Sequence, residues 1–255
     1  MTATRRIAAE FRAAWFSFLR RRTAVFFTFF FPAILVVIFG VLVETQPTGG
    51  GLFAEPPGYY IAGYLAVVVL FTPLSRVGSE IARHRDGNRF EKLATTPLRR
   101  WEWLLGQTLV NAVVIGLAGL LLLGLIVLVT GASVPASPDL LLLVPFVALA
   151  VALFCGLGAV IGRVADSQDG VIAASNAIAL PLLFLSETFV TPDLLPAWFR
   201  PALSLSPLTY FARGVRAVTY PPAAGGDAAA FNLAVLAALA ALLFLAGAFA
   251  IPRTD

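Results

Sequence analysis

Reactive side chains are few in this chain and lie far apart. Its 255 residues include one histidine, His84, one cysteine, Cys155, and one lysine, Lys92. A protein zinc centre needs three or four nitrogen, sulfur or carboxylate ligands in one place, and no run of the sequence supplies them. Cys155 lies inside an apolar stretch, which excludes a disulfide framework and a thiolate metal site. His84 stands in a basic stretch with no second ligand nearby and reads as a solvated side chain. Neither H-E-x-x-H nor G-x-S-x-G occurs, and no carboxylates are paired for acid–base work. A nucleotide-binding loop of the form G-x-x-x-x-G-K-[ST] needs its lysine at the terminal phosphates. Lys92 stands instead between Glu91 and Leu93, so the chain carries no ATPase site. The chemistry left is non-covalent.

Two sets of residues suit that chemistry. The first is polar side chains set in apolar sequence: Gln107 and Asn111, one helical turn apart, Ser175 and Asn176, and Glu187. Such residues bond neighbouring helices or line a path for a polar or amphipathic solute. Glu187 would be the coupling acid if the chain were an ion- or proton-coupled secondary transporter or channel. That alternative calls for broken midplane helices and several buried charges, and the sequence shows neither.

The second set is 88–97. Gly87 ends any helix entering from the left, and Asn88 followed by Glu91 has the spacing of a capping box that starts a new one. Pro97 forces that helix to end near Thr96, and Thr96 with Pro97 suits the cap and first position of the next. Between these marks Phe90, Leu93 and Ala94 share one face, flanked by Arg89 and Lys92. A helix of two turns is not stable alone. It reads either as a solvated loop whose charges only fix topology, or as a rigid peg that docks on a partner outside the membrane and transmits motion inward.

Composition settles what holds these residues. The set AVILMFWYC makes up 59% of the chain and charged residues 13%, about half the usual ~25% charged share. A soluble domain could not cover its surface with so few charges, and a disordered chain is not this apolar. Long uncharged runs, each near the ~20 residues that cross a bilayer, predict an all-α polytopic membrane protein with six spans at 24–43, 59–75, 103–130, 140–161, 171–190 and 228–251. The first follows Arg20, Arg21 and Arg22, but it is longer than the 7 to 15 residue core of a signal peptide and no cleavage site follows. It reads as a retained span.

The net charge of +4 and a pI near 9.7 would suggest nucleic acid in a soluble protein. Here the charges sort by membrane side. Of the 18 basic residues only Arg200, Arg213 and Arg216 fall in the loops of one side, so the positive-inside rule places both termini in the cytoplasm. No nucleic-acid partner is expected. Ahead of the first span, Ile7, Phe11, Trp15 and Phe18 recur at helical spacing within 5–22, an amphipathic helix for the membrane interface. Gly158 and Gly162 form a G-x-x-x-G pair for close helix packing. The segment 192–220 breaks its apolar stretches at Pro196, Pro201 and Pro207, and predicts short re-entrant or interfacial helices at the outer face.

The phrase RHRDGNRFEKLATTPLRRWEWLLGQTLV resembles the cytoplasmic loop of the type-2 ATP-binding-cassette transporter permeases, through Gly87, Glu91, Leu93, Thr96, Pro97 and Glu102. A second phrase, LPLLFLSETFVTPDLLPAWFRPALSLSPLTYFARGVRAV, is similar to the family's fifth span and the segment after it, through Pro196, Trp198, Pro207, Leu208, Thr209, Tyr210 and Arg216. Glu187 departs from the pattern, which has a small residue such as Gly there. With the six-span pattern the resemblance covers essentially the whole chain. It implies a single permease domain over 1–255, paired with a second permease subunit as homodimer or heterodimer, in a prokaryotic plasma membrane. A separate cytosolic ATPase subunit would bind ATP and Mg, this chain holding no cofactor, and the substrate would be hydrophobic or amphipathic. The loop 76–102 would then couple to the ATPase through Arg89, Phe90, Glu91, Lys92, Leu93, Thr96 and Pro97.

Overall fold

The computed structural model describes residues 2–38, 55–189, 192, 195–220 and 226–252. Among these every regular element is helical. In chain order they are α1 (Ala3–Arg20), α2 (Arg22–Val37), α3 (Ile61–Asp86), α4 (Arg89–Ala94), α5 (Arg100–Thr130), α6 (Leu143–Val164), α7 (Gln168–Phe184), α8 (Arg200–Leu203), α9 (Pro207–Thr219) and α10 (Gly226–Ala250). Short 3-10 turns lead into α3 and α6.

Four helical stretches are long and apolar enough to cross a membrane: Pro57–Asp86, Arg100–Thr130, Pro138–Val164 and Ala229–Ala250. The runs expected at 24–43 and 171–190 are shorter helices, of 16 and 17 residues. Part of the first run, the turn residues that follow it, and 190, 191, 193 and 194 lie outside the described residues. Helix ends follow the local chemistry. Gly131 takes a left-handed φ of 67° to close α5, a conformation glycine adopts without a Cβ clash. The Ser167 hydroxyl accepts the Gly170 N–H at 3.1 Å to open α7, and Pro207 stands in the first turn of α9, where its missing N–H costs nothing.

The centre of the molecule is α6, held between α3 and α10 with no side chain at the closest points. A Cβ on Gly158 would lie 2.4 Å from the Leu74 carbonyl oxygen, and one on Gly162 2.6 Å from that of Gly78. On the other side a Cβ on Gly156 would lie 2.3 Å from the Leu243 oxygen, and one on Gly247 2.5 Å from that of Gly156. The expected glycine pair is therefore the contact with α3, and Gly156 with Gly247 repeats the device toward α10. Around this centre apolar side chains face outward: Leu128 is 85% exposed and Phe249 79%. A perimeter of that kind suits lipid rather than water.

The amphipathic α1 does not lie free. Its apolar face packs on α5, with Ala14 and Phe18 buried against Val110 and Val114, and Phe11 stacked on Trp15 at 6.2 Å.

Candidate functional site

The peg segment forms, with other boundaries than its spacing suggested. The helix α3 runs on to Asp86 and ends at Gly87 as expected, so the first part of the connection 76–102 is helix rather than loop. Asn88 is left-handed at φ 49° and makes no side-chain cap, a conformation asparagine tolerates better than most residues. It acts as a sharp corner, in place of the expected capping box with Glu91. The Thr96 hydroxyl turns back to the Leu93 carbonyl at 2.7 Å and Thr95 to Lys92 at 2.8 Å, closing α4 instead of opening α5. That helix starts at Arg100, where the Glu102 carboxylate accepts the Arg99 N–H at 2.9 Å.

Phe90 is not an outward knob. It is buried, with its ring centroid 5.3 Å from that of His84 and 5.7 Å from that of Trp103. His84 is likewise enclosed rather than solvated: its Nδ1 lies 2.8 Å from the Glu80 carbonyl and its ring 5.5 Å from Trp103. Both corrections have one cause: the short helix has only its own chain on which to bury an apolar face. Leu93 is half-buried on the same side, while Arg89, Glu91, Lys92, Thr96 and Pro97 are exposed. Beside them a groove of about 960 Å³ runs between the α4–α5 connection and the end of α10, lined by Leu93, Pro97, Trp101, Leu245 and Phe249 among others.

The five polar residues within apolar sequence do not meet in one lining. Gln107 is buried and donates through Nε2 to the Glu10 carboxylate at 2.8 Å; Asn111 is buried and donates to the Gln107 carbonyl at 2.8 Å. Gln107 therefore faces α1, while the bond of Asn111 stays within α5. On α7, Ser175 is buried and Asn176 exposed. Glu187, in the turn after α7, is buried and bound by both ends of the Arg213 guanidinium, with Nε at 2.8 Å.

Around Glu187 a second centre appears. Arg216 is buried, donates to the Glu187 carbonyl at 2.6 Å and to the Tyr59 carbonyl at 3.4 Å, and lies 3.8 Å above the Tyr59 ring. Burial lowers the Arg216 guanidinium from its ordinary pKa, while the hydrogen bond to Glu187 raises that of Arg213. The Ser206 hydroxyl reaches the Leu182 carbonyl at 2.9 Å. Together these tie α9 to the end of α7 and the start of α3.

Three acidic residues outside the expected sites hold the other end. Glu102 is fully buried and takes Arg6 in two bonds, 2.8 and 2.5 Å. Glu10 is pushed up to about 7, first by burial, with Gln107 opposing and Glu80 adding to the rise. Glu80 takes Arg21 at 3.2 Å as well as Arg83. Arg6 and Glu102 are 96 positions apart, and no local spacing announces such a pair. The one available signal was weak: Glu10 interrupts a helix that is otherwise basic on its polar side.

The comparisons with known proteins agree with this architecture. The chain is similar to the daunorubicin resistance ABC transporter permease protein DrrB1 of Streptomyces coeruleorubidus, 27% identical over 203 residues, covering 77% of this chain and 68% of that protein. The ABC-2 type transporter model matches residues 5–220. That match takes in every helix from α1 to α9, with the peg and both charged centres inside it, and the chain belongs to the ABC-2 type transporter family.

Proposed function

We propose that this chain is the membrane-spanning subunit of an ATP-driven exporter, moving a hydrophobic or amphipathic substrate such as a lipid, a drug-like compound or a glycoconjugate across a prokaryotic plasma membrane. ATP and Mg bind to a separate cytosolic ATPase subunit, and two permease subunits form the working unit. In this reading α2 and α7 complete six spans, both termini face the cytoplasm, and α8 and α9 are re-entrant at the outer face. Of the polar residues within apolar sequence, Asn176, exposed on α7, borders the path between subunits, while Gln107, Asn111, Ser175 and Glu187 are buried and brace the helices behind it. The drug-resistance relative supports an amphipathic substrate and export.

The observation that carries the proposal is the two-sidedness of α4. Its apolar side is spent on His84 and Trp103, and the remaining side is a row of exposed charged and polar groups. A short helix fixed from behind in this way transmits force without deforming. Contact with the ATPase thus falls to Arg89, Glu91, Lys92, Thr96 and Pro97, with Phe90 and Leu93 as its footing.

The test is co-purification with the ATPase subunit, followed by hydrolysis measured with and without permease. Reversing both charges, Glu91→Lys with Lys92→Glu, leaves the isolated permease as stable as before, since both side chains are exposed, and lowers permease-dependent hydrolysis several-fold. Unchanged hydrolysis and unchanged co-purification would remove α4 from the interface.

A further inference from the structure

Several arginines on the α4 side are held by acceptors of the chain. Arg6 grips Glu102, Arg85 donates to the Arg163 and Ala165 carbonyls, and Arg100 reaches the Phe249 carbonyl. One place departs from this pattern. At the corner where α1 passes into α2, Arg21 leans on α3 and meets Glu80, which Arg83 also binds. Both arginines crowd one oxygen of Glu80, while His84 stands 3.5 Å from the other. One turn earlier on the same face of α3 stands Arg76, within electrostatic reach of Glu80, Arg21 and Arg83. Three guanidiniums therefore share one carboxylate.

Arg83 keeps a buried Nε without a partner but binds Glu80 through its other end, whereas Arg76 makes no ion pair with it. The Arg76 guanidinium carbon lies 4.3 Å from the centroid of the Phe18 ring, so α1 covers one face. Its Nη1 is enclosed without a hydrogen-bond partner. A charged donor left without an acceptor in a low-dielectric setting is costly, and the side chain is not fully closed off: it keeps a partly exposed edge, as do Arg21 and Arg83. Arg20 and Arg22 are exposed at the same corner, and no side chain caps the first turn of α2, which adds its positive end to the field.

We infer that the cleft between the α1–α2 corner and α3, formed by Arg21, Arg76 and Arg83, is a seat for the phosphate group of an anionic lipid. A phosphate oxygen pair matches a planar guanidinium fork. The setting selects a lipid over a dissolved ion, because Arg76 follows directly on the apolar stretch of α3 and Phe18 is buried beside it. The headgroup would complete the charge balance that Glu80 alone leaves short, and its acyl chains would lie along the exposed Phe26, Phe27 and Phe30 of α2. The seat is independent of what the protein transports and asks only that this corner meet the membrane surface.

The test uses the full chain in nanodiscs of phosphatidylcholine, with or without phosphatidylglycerol, and reads lipid retention by native mass spectrometry. Wild type retains phosphatidylglycerol in preference, and Arg76→Gln lowers that preference about fivefold, the share expected of one surface cation. Arg21→Gln, more exposed and safe for folding, lowers it by a similar factor. Arg12→Gln, an exposed arginine of α1 away from the corner, leaves it unchanged. A preference that survives both Arg76→Gln and Arg21→Gln would overturn the assignment, as would an equal loss in Arg12→Gln. A third arm adds inorganic phosphate to protein in detergent: stabilisation by phosphate in the absence of any phosphatidylglycerol preference would overturn the lipid source.

Discussion

The two ends of α3 are held by opposite means. At its start, near Tyr59, the link to α9 and to the turn after α7 is Arg216, a buried cation whose partners are two backbone carbonyls and an aromatic face. Around its far end the contacts run between side chains: Glu80 between Arg21 of the α1–α2 corner and Arg83, His84 against Phe90 of α4, and, beside them, Glu10 of α1 at Gln107 of α5. A carbonyl cannot titrate and scarcely moves. A carboxylate on a long side chain can do both. The Tyr59 end is thus built to stay as it is across conditions, and the α4 end to respond to them.

Four substitutions break or sharpen that contrast, measured as thermal unfolding of purified protein in detergent. Arg216→Met has the largest effect. Two buried carbonyls lose a charged donor, at roughly 1.5 to 3 kcal/mol for each such bond, and a total loss of about 3 kcal/mol, independent of pH between 6 and 8 (a window set roughly by the histidine range), marks the fixed end. An Arg216→Met protein with wild-type Tm would mean that the two ends do not differ as described.

Glu10→Gln comes next and acts in the opposite sense. The carboxyl titrates near 4.5 when free and at about 7 in the folded chain, so folding favours its protonated form. Wild-type stability is then greatest below the free value and falls as pH rises through about 7. Glutamine keeps the contact with Gln107 and never ionises, so the variant is more stable than wild type by on the order of 2 kcal/mol at pH 8, with the gap closing toward pH 5. A pH-independent difference would show that Glu10 does not titrate at this contact.

Glu187→Gln costs about 1 kcal/mol, because its partner Arg213 is 39% exposed and water screens the pair. Arg21→Gln costs least, about 0.5 kcal/mol without anionic lipid, since Glu80 keeps Arg83. If Arg21→Gln cost more than Glu187→Gln in detergent, the ranking of the two ends would be reversed.

Much of the fold was legible in the order of residues, for a physical reason. Lengths of apolar sequence, the Gly158 and Gly162 spacing, and the breaks at Gly87 and Pro207 are local constraints, each obeyed where it occurs. The positions that escaped are those where one end of the chain meets another. Phe90 reads as an outward knob because its neighbours in sequence are charged, while the groups that cover it, His84 and Trp103, come from two other helices. Gln107 and Asn111 read as one polar stripe on α5; what lies opposite Gln107 is Glu10 of α1, some 97 positions away, and a polar stripe does not say which helix faces it. The Glu91 capping box failed because Asn88 was needed for a left-handed corner. The acid that does cap is Glu102, which also receives Arg6.

The glycine contacts of α6 bear on how the protein moves. Where backbones of α3, α6 and α10 touch with no side chain between them, there is no soft layer to shear, so the three helices rotate together or not at all. The 26 residues of α3 extend roughly 39 Å at 1.5 Å per residue, and α4 hangs from one end of that rod. A tilt of about 5° imposed there carries the opposite end, with Tyr59 and Arg216, through roughly 3.4 Å, a little more than the span of a hydrogen bond. Small displacements at the peg would in this way be delivered, magnified and intact, to the cation that joins α9 to the rest of the molecule.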